Sequence, residues 1–538
     1  PVYNVIPLPG QAGLLAFKAP AFGFSVYTVI SARTGDDYGL NAEVLGIGQS
    51  FAVGRFRQEL WGVPASPTHD SERYIPNGSV PLPGAPSNSP EVPFLQNPTT
   101  CAGPLTSTLR QVSYNRSVET ATAPWPATTG CEQLGFNPSL AARPSTTAAD
   151  TASGLDVELD VPQLLSPTTP TASQIRAVTV TLPEGFSVNP NAADGKTSCS
   201  DVEARFGTTE EAQCPENAKV GTLSILSSAL PDVIHGAIYL GEPKPGDRYR
   251  LIITADGFGT HVKLPGSVRP DPQTGQLVTA FKDLPQSPLS KFTMHFFGSE
   301  RGLLATPTRC GTYAVNSEFV PWDGDLANQS STQFFKIDSG PGGSPCPGAQ
   351  RPFAPTMKAA GAGNGAGAHS PFSIRINRVD GDQNLSAVTV KTPPGFAATL
   401  KGVPYCPEAT LARVAGDYSG LAELASPGCP AASQVGVGWA GVGAGTRPLY
   451  VDSKVYLAGP YKGAPLSLLV VLPAVSGPYD LGNIAVRVAV SVDPVTARVT
   501  AVSDPLPQIL QGIPLRTRSI RLDLDRPGFT LNPTNCDP

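Results

Sequence analysis

Ala177-Val178-Thr179-Val180-Thr181-Leu182-Pro183-Glu184-Gly185-Phe186 recurs later in the chain as Ala387-Val388-Thr389-Val390-Lys391-Thr392-Pro393-Pro394-Gly395-Phe396. In both stretches apolar and polar side chains alternate, so one face can be buried while the other stays wet. That is the period of a β-strand. Proline then removes a backbone donor and glycine accepts positive φ, so each stretch predicts a strand ended by a turn.

The order of landmarks after the two stretches is the same. Cys214-Pro215 precedes Lys219-Val220-Gly221, as Cys429-Pro430 precedes Gln434-Val435-Gly436. Ile238-Tyr239-Leu240 answers Val455-Tyr456-Leu457, and Asp271-Pro272-Gln273-Thr274 answers Asp493-Pro494-Val495-Thr496. Thr306-Pro307-Thr308-Arg309-Cys310 is matched by Asn532-Pro533-Thr534-Asn535-Cys536, and Asn97-Pro98-Thr99-Thr100-Cys101 gives the same closing motif a third time. The stretch from Gly46-Ile47-Gly48 through Leu60-Trp61 resembles that from Gly512-Ile513-Pro514 through Leu522. A sequence that repeats its landmarks in order reuses one structural unit. The reading is an N-terminal partial unit over 1–131 carrying the second half of the repeat, a first full unit over 132–346 and a second over 347–538. The fold class expected is all-β, as tandem Ig-like or jelly-roll-like β-sandwiches with internal repeats and local disulfides, each full unit being long enough for two small sandwiches. Asp-Pro-x-Thr predicts a hairpin turn in each unit. Short helices are expected over Ser200 to Phe206 and Ala409 to Val414.

The chain holds nine cysteines, none in a CxxC pair, and five dispersed histidines, a pattern unlike the close ligand spacing of zinc sites. Their succession predicts local bridges of Cys101 with Cys131, Cys199 with Cys214, Cys310 with Cys346, and Cys406 with Cys429. Each contributes about 2–4 kcal/mol. Free thiols in a reducing compartment are the competing reading. Cys536 is left without a partner by this pairing, so it is either an exposed free thiol or pairs with a cysteine outside this sequence, in a continuation or another chain. Pro1-Val2-Tyr3 lacks an initiating Met, which fits a processed N-terminus from which a signal has been removed.

Proline and glycine, 58 and 55 of 538 residues, are far above their usual share of roughly 12%. With 40% hydrophobic residues in short alternating runs, the excess means many strands and turns rather than disorder. Only 15% of residues are charged and the net charge is −5, which argues against nucleic-acid binding. No apolar run approaches the length of a membrane-spanning helix.

The motifs Trp61-Gly62-Val63-Pro64-Ala65, Leu264-Pro265-Gly266, Gly340-Pro341-Gly342-Gly343, Gly459-Pro460-Tyr461-Lys462-Gly463-Ala464-Pro465 and Asp525-Arg526-Pro527-Gly528-Phe529, with the strand motifs above, carry a further signal. Together they resemble a family of large, secreted, repeat-bearing proteins of high-GC Gram-positive bacteria. The resemblance runs along nearly the whole chain. It implies an extracellular β-repeat protein and brings no catalytic or binding residue with it.

No Gly-x-Ser-x-Gly elbow is present. His69-Asp70, within Thr68-His69-Asp70-Ser71-Glu72-Arg73, is the densest polar cluster, and a locally bonded loop explains it. Asp36-Asp37 and Glu210-Glu211 are adjacent in sequence, which sends extended neighbours to opposite faces and argues against a paired-carboxylate site. Asp380, Asp382 and Asn384 are spaced like calcium ligands, but an Asp-Gly hairpin between strands over 372–379 and 385–392 explains them without metal. Calcium is therefore the sole cofactor candidate. Trp125 and Trp322 fall in comparable places between paired cysteines, which predicts packing roles.

With no catalytic residue assigned, the expectation is a non-enzymatic structural subunit of an extracellular or cell-surface assembly, such as a filament, sheath or surface layer. Copies would associate as homo-oligomers by strand addition, with the Pro-rich opening from Pro1 to Gly13 as a candidate reaching strand. An adhesin or a module binding cell-surface glycans is the alternative, and a secreted polysaccharide hydrolase a distant third.

Overall fold

The computed structural model describes residues 2–19, 24–35, 37–49, 54–75, 82–416 and 418–536. Strand outweighs helix by 43% to 6%, so the protein is all-β. Four disulfides join Cys101 to Cys131, Cys199 to Cys214, Cys310 to Cys346 and Cys406 to Cys429. Cys536 is an exposed free thiol.

Each full unit builds one large antiparallel sheet rather than two small sandwiches. Across the first sheet the strands run Gln329–Ile337, Gly311–Pro321, Ile175–Thr181, Leu277–Phe281, Thr260–Pro270 and Tyr249–Gly257. They continue with Ile234–Gly241, Lys219–Ser227, Leu289–Phe296, Leu155–Asp160 and Ser139–Pro144. The two end strands come against each other, so the sheet curls closed around one core. Phe136, Leu140, Leu159, Phe186, Ile238 and Phe335 belong to that single cluster.

Across the second sheet the order is Thr389–Lys391, Val499–Ser503, Tyr479–Val492, Leu466–Ser476 and Leu449–Ala458. Gln434–Val442, Ser519–Leu524, Phe372–Asn377 and Thr356–Gly361 follow. Strand by strand this is the order of the first sheet from Ile175–Thr181 to Ser139–Pro144. The difference is the hairpin of Gly311–Pro321 and Gln329–Ile337, which has no counterpart among the described strands of the second sheet.

Local chemistry is copied along with topology. In the hairpin turns, Asp271 Oδ1 accepts from the N–H groups of Gln273 and Thr274 at 2.9 and 2.7 Å, and Asp493 Oδ1 from those of Val495 and Thr496 at 3.0 and 2.7 Å. These donors stabilise the ionised carboxylates and hold both below the usual aspartate range. Gly185 and Gly395 have φ of 88° and 80°, and a side chain at either would press on Pro307 or Pro533 of the closing motif. Of the two expected helices, Glu408–Ala415 forms and is followed by Gly420–Ala425. Residues 201–207 are instead successive turns, ended by positive φ at Arg205 and Gly207.

In the N-terminal part, Val2–Val5, Gly13–Ala19, Phe24–Ala32 and Leu40–Val44 form a four-stranded meander. Val2–Val5 thus folds back on Gly13–Ala19 of its own chain instead of reaching outward, since the intervening turn brings the two into register. Beyond Cys101, Thr106–Val112 and Val118–Pro124 form a hairpin that pairs with no other described strand.

Candidate functional site

The site is the face that a hairpin covers in the first unit and that no described strand covers in the second. In the first unit, Gly311–Pro321 is hydrogen-bonded to Ile175–Thr181, with Val320 opposite Ala177 and Asn316 opposite Thr181. Its partner Gln329–Ile337 lies against Ser139–Pro144. Under this hairpin Leu140 is 4% exposed, Ala142 is equally buried, and Phe186 is fully buried, its ring 5.7 Å from that of Phe335.

Register identifies the corresponding residues of the second unit. Leu140 stands opposite Leu159 and Ala142 opposite Val157. Met357 stands opposite Ile376 and Ala359 opposite Ile374 in the matching pair of strands. Met357 is 62% exposed, and Ala359 is exposed as well. Phe396, the counterpart of Phe186, is only half-buried and leans on Phe372 at 5.0 Å. Ile374, Ile376 and Leu385 form a small apolar cluster with Phe372, Val388 and Val390, which joins the second-last strand at one end of the sheet to the last strand at the other. A 590 Å³ cavity runs along these side chains, with an almost wholly apolar lining. Such a surface can take apolar side chains, and the two end strands can take backbone hydrogen bonds.

Asp380 and Asp382 belong to a different place, the junction between the full units. Asp150, almost fully buried, bonds Arg516 Nη1 at 2.8 Å and the N–H of Gly381 at 2.8 Å, with Arg351 and Arg378 at 3.9 and 4.0 Å. Burial pushes its carboxyl up, but those charges and the amide more than offset this and hold it below the usual range. Asp380 takes Arg518 at 3.0 Å and the N–H of Gly445 at 3.1 Å. Burial dominates there and raises its carboxyl to about 6. The backbone carbonyl of Asp382 accepts from Arg351 and Arg378. Asp380 is thus committed to an arginine, and no group of three or more His, Cys, Asp or Glu placed for a metal ion occurs among the described residues. Nor is the Asp-Gly turn a hairpin. Phe372–Asn377 pairs with Thr356–Gly361 and Ser519–Leu524, whereas Thr389–Lys391 pairs with Val499–Ser503, as the matching strands Leu155–Asp160 and Ile175–Thr181 of the first sheet also pair with other neighbours and not with each other.

The other polar candidates are local. His69 stacks on Trp61 at 4.2 Å and Asp70 pairs with Arg73 inside the short turn Pro67–Glu72. Glu210 pairs with Arg205 and Asp37 with Arg33, while Asp36 lies outside the described residues. Trp322 follows the first strand of its hairpin and Trp125 the second of its own, so the two are not in equivalent places. Trp125 is half-exposed, its Nε1 donating to Ser107 Oγ at 2.8 Å. Two His–Asp pairs escape sequence reading because cross-strand register creates them: His261 with Asp256 and His295 with Asp156, each at 2.6 Å. Neither imidazole bonds a serine, threonine or cysteine among the described residues.

No family model matches the chain, and no curated protein is significantly similar to it. No helix among the described residues is long and apolar enough to cross a membrane.

Proposed function

We propose that the protein is a non-enzymatic structural subunit of an extracellular or cell-surface assembly, whose copies join by β-strand addition into a filament, sheath or layer. One observation carries the reading: the hairpin of Thr106–Val112 and Val118–Pro124 pairs with no other described strand, and every residue of its two strands is exposed, Leu109, Val112 and Val118 among them. Bare strand edges beside apolar side chains are templates for another chain. Four disulfides support an oxidising setting outside the cytoplasm. The apolar lining of the cavity favours protein strands over sugars, whose hydroxyls need polar partners. Glycan binding therefore stands second.

Electron microscopy and sedimentation of the purified protein across concentration test the reading. Ordered oligomers or filaments are expected. Monodisperse monomers at every concentration and salt would refute it.

A further inference from the structure

We infer that the outer face of the second sheet binds an acidic polysaccharide, a sugar chain bearing carboxylates. Register sets five side chains in one row across five neighbouring strands. Lys358 stands opposite Arg375, Arg375 opposite Arg521, Arg521 opposite Trp439, and Trp439 opposite Asp452. Residues directly opposite across antiparallel strands share a face. That face is the outer one, because Ile374 and Ile376 on either side of Arg375 turn into the core.

The first unit shows how little of this row strand pairing needs. Its matching row, strand for strand, is Ala141, Glu158, Thr293, Ser224 and His235. A sheet of the same order thus forms with a carboxylate in place of Arg375 and small hydroxyl side chains in place of Arg521 and Trp439. Glu158 and His235 are exposed although the first sheet is closed, so the openness of this face does not depend on a covering hairpin.

Like charges directly opposite one another weaken a sheet, yet Lys358, Arg375 and Arg521 stand side by side. Among the described residues Arg521 pairs with Asp523 at 2.8 Å, whereas Arg375 donates to Asn377 Oδ1 at 3.1 Å and neither Arg375 nor Lys358 pairs with a carboxylate. The Arg375 guanidinium lies over the Trp439 ring, 5.2 Å from its centre. Tyr450, 53% exposed, meets Trp439 edge-on at 5.0 Å. Its ring lies over Gly441, where a Cβ would sit 2.9 Å from it. Aromatic rings give the apolar faces of sugars a surface to lie on, and guanidinium groups grip carboxylates in a two-pronged fork. With strands about 4.8 Å apart the row is roughly 19 Å long, which suits a chain laid across the strands better than a single sugar. The whole protein carries a net charge of −5, so attraction to a polyanion has to come from a local patch such as this one.

Biolayer interferometry of the full-length protein over immobilised polygalacturonate tests this, with dextran and single-stranded DNA as comparison surfaces. Binding to polygalacturonate alone is expected. Arg375→Glu and Trp439→Ser each install the residue that the first unit carries at the same place, and melting curves check that both fold. Each is expected to weaken binding by about tenfold or more. Lys336→Glu, the same charge change on an exposed strand position of the first unit, is expected to leave it unchanged. No binding by the unaltered protein, or an equal loss in Arg375→Glu and Lys336→Glu, would overturn the inference. So would binding that survives in a folded Trp439→Ser, which would mean attraction between charges alone. Should Trp439→Ser not fold, the contrast between Arg375→Glu and Lys336→Glu decides. Equal binding to dextran would remove the requirement for acidic sugars, and equal binding to DNA would reassign the face to nucleic acid, each overturning the assignment made here. None of these outcomes bears on assembly, which sedimentation decides separately.

Discussion

Asp150 and Asp380 show how a single residue's surroundings decide its contribution to the fold. Both sit at the junction of the full units, and their carboxyls shift in opposite directions. Asp150 is a buried anion facing Arg516, Arg351 and Arg378. Replacing it by Asn leaves three guanidinium groups without their counter-charge, and breaking a buried pair in this way costs about 3–5 kcal/mol. Chemical denaturation of Asp150→Asn at neutral pH is expected to show that loss. Asp380 behaves differently, because its carboxyl rises to about 6 in the folded protein. Between the ordinary aspartate value and 6 the folded state holds a proton that the unfolded chain has released, so stability falls as pH rises through that window. Comparing the protein with Asp380→Asn at pH 4 and pH 7 isolates this effect. Relative to the Asn variant, the aspartate form is expected to lose stability on going from pH 4 to pH 7, by about 2 kcal/mol at the conversion of 1.36 kcal/mol per unit, since the unfolded chain's carboxyl has already released part of its proton at pH 4. A difference between the two that stays constant with pH would contradict it.

At the level of elements, one hairpin turns an ordinary edge strand into a buried one. Leu140 and Met357 occupy the same register position, yet Leu140 is covered and Met357 is not. Leu140→Ala is therefore expected to destabilise the monomeric protein by about 2–5 kcal/mol, whereas Met357→Ala changes it by less than about 0.5 kcal/mol. Urea unfolding of both variants at low protein concentration checks the contrast, and equal losses would mean that the two faces are covered alike. The features readable in the sequence are those whose causes lie within a few residues. The alternating runs make strands, Asp271 and Asp493 cap their own turns, and cysteines nearby in sequence become staples. What could not be read depends on distant partners. The Asp380-Gly381 turn passes for a hairpin until its flanking strands are seen to pair with Ser519–Leu524 and Val499–Ser503, and His295 meets Asp156 only through strand register. Met357 and Ala359 look like any short strand, because their exposure follows from a hairpin that is present elsewhere and not over them. A comparison of the residues after Cys101 with those after Cys310 was the signal that could have drawn notice to it.

For the whole molecule, the consequence is that folding and association share one free energy. The first unit closes its sheet with its own hairpin, so its stability is independent of protein concentration. In the proposed assembly a neighbouring copy adds strands to exposed edges outside that closed sheet, Thr356–Gly361 of the second unit among them. A partner that binds the folded form and not the unfolded one stabilises it by mass action, and above the dissociation constant each tenfold rise in concentration adds about 1.4 kcal/mol. For a unit of this size that raises the melting temperature by roughly 3–6 °C. The buried charges around Asp150 couple the two units, so Asp150→Asn should separate their transitions and let each be followed alone. Scanning calorimetry of that variant at concentrations tenfold apart is expected to leave the more stable transition fixed and move the other upward. Two transitions that both ignore concentration would mean that assembly adds nothing to the stability of either unit.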